Sequence, residues 1–109
     1  MATKTNVTPL QDHWAQMRSH ERFISRVKLV VEWEEGPARQ RANAITVDVS
    51  RTGCMAVVSA GLNLHQHVRL IHPESGRSAE AQVVWRDHEG WDVGLELSKP
   101  DASFWGVQV

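Results

Sequence analysis

The period of the apolar residues changes at Arg26. Before it, Leu10, Trp14 and Met17 are spaced by four and three, a helical interval. After it, apolar residues return at every second position. In VKLVVEW, Val27, Leu29, Val31 and Trp33 share one face, and Lys28 and Glu32 share the other. That alternation, rich in β-branched residues, predicts a half-buried strand. It recurs in RANAITVDV over 41–49, where Ile45, Val47 and Val49 are expected to face the core and Thr46 and Asp48 to face away. Further strands are expected in CMAVVS after Gly53, in QHVRLIH over 66–72 and in AEAQVVWR over 79–86. A sixth follows, in which Trp91, Val93, Leu95 and Leu97 alternate. Turn residues separate them at Glu35-Gly36-Pro37, at Ser50–Gly53, in HPESGRS and at Asp87–Gly90.

Six short strands punctuated by turns predict an all-β domain, an antiparallel barrel or sandwich. With 109 residues the chain has material for one core. Its single cysteine, Cys54, cannot form an internal disulfide, so packing must hold the domain together. In so small a sheet, closure into a barrel removes the exposed edges. Residues 1–17 read as a flexible or helical lead, with a short amphipathic helix expected over Pro9–His20, and 18–109 read as the barrel domain. A helical turn is expected after Pro100, with Phe104 and Trp105 covering one end of the sheet. No apolar run reaches the length of a membrane helix, and MATKTNVTPLQDHW lacks a signal-peptide core, so the expected address is the cytoplasm.

Charge is unevenly spread. The formal net charge is −1, which disfavours bulk nucleic-acid binding, including a small barrel that grips single strands along a basic groove. Yet residues 1–53 carry eight basic and six acidic side chains, whereas 54–109 carry four and seven. Nine of the twelve basic residues are arginines, whose flat forks of donors suit phosphate and the edge of guanine. Arg18, Arg22, Arg26 and Lys28 form the densest cluster.

Two motifs stand out. Arg22-Phe23-Ile24-Ser25-Arg26 is an R-x-x-x-R at the entrance to the first strand, and Asp48-Val49-Ser50-Arg51-Thr52-Gly53 is a D-x-S-x-x-G between the second and third. Each alone is common. In this order and on these elements, the pair resembles the PilZ domain, a bacterial receptor module for cyclic di-GMP. RVKLVVEW resembles that family's first strand, VDVSRTGCMAVVS its second turn with the strand that follows, and AQVVWRDHEGWDVGLEL its closing hairpin. FWGV is similar to the ending of some members. The resemblance spans roughly residues 18–106 and implies a six-stranded antiparallel barrel with short flanking helices.

The resemblance also implies that Arg22, Arg26, Asp48, Ser50 and Gly53 line a cyclic di-GMP site, with Arg18 and Arg51 as extra basic residues near it. The residue types suit that ligand. An arginine can bond guanine O6 and N7 together, grip a phosphate or stack on the purine. A carboxylate only accepts, which matches the N1–H and N2–H₂ donors of guanine. Ser50 can cap the turn or bond the ligand, and Gly53 would permit a positive φ or a close backbone approach. The expected role is that of a receptor whose arginine segment is ordered by ligand and which signals to an effector protein in trans. The alternative is a PilZ-like interaction module that binds no nucleotide. No cofactor beyond the nucleotide ligand is expected, and neither a Gly-rich phosphate loop nor a G-x-S-x-G is present to suggest an enzyme. His65 and His67 have a spacing that can suit a metal, but no Cys or carboxylate lies close in sequence, so no metal site is expected. Cys54 is expected in the core, and Trp85 and Trp91 in the core or on the barrel surface. Oligomeric state is left open by the residues.

Overall fold

The computed structural model describes residues 22–106. The helix expected over Pro9–His20, Arg18 and the boundary at residue 17 lie outside the described residues. Seven strands follow one another: β1 (Phe23–Ile24), β2 (Lys28–Glu35), β3 (Ala38–Val49), β4 (Gly53–Val58), β5 (His67–Ile71), β6 (Ser78–Arg86) and β7 (Asp92–Leu97). A short 3₁₀ helix, Ala102–Trp105, comes last. Neighbours run β1-β3-β2-β5-β6-β7-β4, every pairing is antiparallel, and β4 returns to pair with β3. The six strands β2–β7 therefore close into a barrel, and β1 lies outside it as a short seventh strand that periodicity did not signal.

Alternation forecast part of the core, although Trp91, in phase with Val93 in the sequence, lies before β7 and is 54% exposed. Leu29 and Val31 of β2, Val68 and Leu70 of β5, Ala81 and Val83 of β6, and Val93, Leu95 and Leu97 of β7 are all buried. Strand β3 departs from expectation. It begins at Ala38, because Gly36, at φ 62°, turns the chain tightly enough for Glu35 to pair with Ala38. Its inward residues are Ala42, Ala44 and Thr46, then Val49, whereas Val47 is 44% exposed. The face expected to hold Ile45 and Val47 is the outer one. Small alanines and a threonine fill the interior opposite bulkier leucines and valines, so side-chain size misled the reading of this strand.

The 3₁₀ helix closes one end of the core, and its Phe104 and Trp105 are buried. Asp101 caps it, with its Oδ1 accepting from the Ser103 amide at 3.1 Å and the Ser103 hydroxyl at 2.6 Å. The hydroxyl bond holds the Asp101 carboxyl below the usual carboxylate range. The β5–β6 loop grips the helix from outside. Arg77 Nη1 donates to the Ser103 carbonyl at 2.9 Å, and His72 Nε2 lies in hydrogen-bond contact with the Phe104 carbonyl.

Candidate functional site

A β-bulge in β3 sets the position of the acid. Thr46 pairs with Ala56, and the next pairing is Asp48 with Met55, which leaves Val47 as the extra residue. Thr46 and Ala56 point inward, as do Val49 and its partner Cys54. Asp48 shares the outer face with Met55. Had alternation continued unbroken from Ala42, Ala44 and Thr46, Asp48 would have entered the core. The bulge resets the phase and delivers the carboxylate to the outer surface. Cys54 lies behind it. Burial pushes the thiol well above its ordinary value and the Asp48 charge adds to the shift, so Cys54 is a neutral core residue.

The turn after Asp48 is tied down at every carbonyl. Ser50 is fully buried, and its Oγ accepts from the amides of Thr52 and Gly53, each at 3.2 Å. Its own amide donates to the Gly53 carbonyl at 2.8 Å. The carbonyl of Ser50 accepts from Trp105 Nε1 at 2.6 Å, that of Arg51 from the Asp101 amide at 2.9 Å, and that of Thr52 from the Leu97 amide at 2.8 Å. The Ser50 hydroxyl thus performs the capping role. Gly53 is buried, opens β4 and pairs with Glu96. Its φ is not positive, so the left-handed conformation allowed for it in the sequence is not used. The Arg51 side chain is exposed.

The basic arm approaches β3 from the other side. Strand β1 pairs Phe23 with Val49 and Ile24 with Asp48. This brings Arg22 Nη1 to 3.6 Å from Asp48 Oδ2, with the two side chains 20% and 16% exposed. The two motifs, more than twenty residues apart in sequence, meet in this ion pair. Between β1 and β2 the regular ladder with β3 is interrupted, and the exposed Arg26 lies on the arch formed there. Thr46 spans the gap. Its hydroxyl accepts from the Val27 amide at 2.7 Å and donates to the Ser25 carbonyl, and its amide donates to the Val27 carbonyl at 3.0 Å.

Two supporting residues were missed from sequence. Thr46 was placed on the wrong face, and the indole bond of Trp105 joins residues 55 positions apart, which no local pattern signals. Trp85 is half-buried, and Trp91 is 54% exposed on the barrel surface. His65 and His67 are exposed, and among the described residues no group of three or more His, Cys, Asp or Glu side chains is placed to hold a metal. No helix among the described residues is long and apolar enough to cross a membrane.

The family model of the PilZ domain matches residues 16–104 of the chain. No curated protein and no solved structure matches.

Proposed function

The chain belongs to the PilZ domain family, whose members are cyclic di-GMP-binding modules, and from that premise we propose that it is a cyclic di-GMP receptor. The observation that carries the reading is the Arg22–Asp48 pair, which unites the two motifs on one outer surface of the barrel. In this reading Asp48 accepts from the N1–H and N2–H₂ groups of a guanine. Arg22 and Arg26 supply forked donors for guanine O6 and N7 and for the two phosphates. Ser50 and Gly53 contribute by holding the turn that follows Asp48. Arg51, exposed on the same turn, and Arg18 add positive charge around the site. Adenine offers the wrong donor pattern to Asp48, and each buried group left unpaired would cost about 1–3 kcal/mol.

The protein acts as a binding module in the cytoplasm, not as a catalyst. Ligand charge draws in the arginine segment, residues 18–26, and the rearranged surface is read by an effector protein in trans. Calorimetric titration with cyclic di-GMP, GTP and a short oligonucleotide tests this directly. Binding of cyclic di-GMP alone is expected, together with amide protection within residues 18–26 beyond what the β1–β3 pairing and the Ser25–Val47 bond already give. Absence of heat with cyclic di-GMP would instead favour a PilZ-like interaction module that binds no nucleotide.

A further inference from the structure

Strand β3 touches β1 at Val49 and Asp48, and β2 from Ile45 onward, but between these pairings the backbone ladder is interrupted. The interruption falls on Ser25, Arg26 and Val27, which arch over β3 at the bulge. Ser25 and Val27 each keep one backbone bond to β3, and the other polar groups, the Ser25 carbonyl and the Val27 amide, need partners when they are covered. One buried side chain supplies two. Thr46 is fully buried, yet its Oγ1 accepts from the Val27 amide at 2.7 Å and donates to the Ser25 carbonyl. These are the residues immediately before and after Arg26. The flanking backbone bonds, Ser25 amide to Val47 carbonyl at 3.2 Å and Thr46 amide to Val27 carbonyl at 3.0 Å, complete the clasp.

We propose that Thr46 is the positioning residue of the basic arm: its hydroxyl, held inside the barrel, fixes the arch that carries Arg26, two residues beyond Ile24, the strand partner of Asp48. The inference rests on the cyclic di-GMP reading above and adds a residue that lies outside both motifs. The chemistry demands a hydroxyl in particular. A single atom one bond from Cβ accepts from one backbone group and donates to another, as only a hydroxyl can. Valine has nearly the same shape but neither capacity. Serine has both. An arginine on a floppy arch loses more conformational freedom on gripping its ligand, so the pin raises affinity without touching the nucleotide.

Calorimetry on Thr46→Val and Thr46→Ser tests this, with each variant first checked for a cooperative melt. T46V is expected to bind cyclic di-GMP about tenfold more weakly than the parent. T46S is expected to bind within about threefold of it. Combining T46V with Arg26→Ala is expected to weaken binding little beyond Arg26→Ala alone, because the pin acts through that side chain. Unchanged affinity in T46V, or full additivity with Arg26→Ala, would overturn the inference. Should T46V not fold, hydrogen exchange on the parent decides: the Val27 amide is expected to be as protected as those of β2, and free exchange there would overturn the pin. If the parent itself binds no cyclic di-GMP, the receptor reading fails, while Val27 protection still reports separately on the clasp.

Discussion

Arg22, Asp48 and Cys54 occupy neighbouring positions but answer to different physics. Arg22 and Asp48 form an ion pair that is mostly covered by protein, with the two side chains 20% and 16% exposed. Arg22→Ala, Arg26→Ala and Asp48→Ala are each expected to weaken cyclic di-GMP binding by ten- to hundredfold in calorimetry, the equivalent of about 1.5–3 kcal/mol for a lost charged partner. Normal affinity in all three would remove the site assignment. Cys54, one layer deeper, is held neutral by burial and by the nearby carboxylate. Its folded-state pKa is raised, so its contribution to stability is intact below the unfolded thiol's value of about 8.5 and is lost progressively above it, where the unfolded chain releases a proton that the folded chain retains. With no tyrosine and three lysines in the sequence, few other groups titrate in that range. Thermal melts from pH 8 to pH 10 should therefore show a fall in Tm that is shallower in Cys54→Ala. Equal slopes would show that the thiol is not the titrating group.

Strand β3 shows where sequence is legible and where it stops being so. The existence of all six barrel strands could be read from period-two patterning, because each strand has one wet and one dry face. The inward face of β3 could not, because Ala42, Ala44 and Thr46 look less like core residues than Ile45 and Val47 do. The bulge was equally silent: an extra residue changes the phase without leaving a distinctive composition. Likewise, the D-x-S-x-x-G turn was visible as a turn, but its support was not, since Leu97, Asp101 and Trp105 reach it through tertiary hydrogen bonds. That support makes the 3₁₀ helix part of the site's framework. Trp105→Phe keeps the buried ring and deletes the indole donor, leaving the Ser50 carbonyl unpartnered in the interior. It is expected to cost about 1–3 kcal/mol in denaturant unfolding and to weaken nucleotide binding as well. Unaltered affinity in a measurably destabilised Trp105→Phe would confine the tryptophan to a packing role.

Across the described molecule, several arginines outside the two motifs serve ends unrelated to the site. On the side of the barrel formed by β2, β3, β5 and β6, Arg41 pairs with Glu32 at 3.4 Å, Arg39 with Glu34 at 3.5 Å and Arg69 with Glu80 at 2.9 Å. These arginine side chains are exposed, and such pairs contribute little, because water screens them and ordering long side chains costs entropy. Arg69→Ala is expected to change stability by no more than about 0.5 kcal/mol and to leave cyclic di-GMP affinity within about twofold. It removes the same net charge as Arg22→Ala, so the comparison separates a positioned arginine from a general field. A comparable loss of affinity in both would mean that bulk charge, not geometry, attracts the ligand.

The 55-residue reach of the Trp105 indole to Ser50 also sets an order of events during synthesis. A ribosome delivers the two arginines and the aspartate in the first half of this chain. In the turn that follows them, the carbonyls of Ser50, Arg51 and Thr52 are satisfied by residues from Leu97 to Trp105. Until that late segment has left the exit tunnel and folded back, the nascent chain carries both motifs without a formed binding surface. On the cyclic di-GMP reading, a growing polypeptide is therefore expected to hold no nucleotide before the barrel closes.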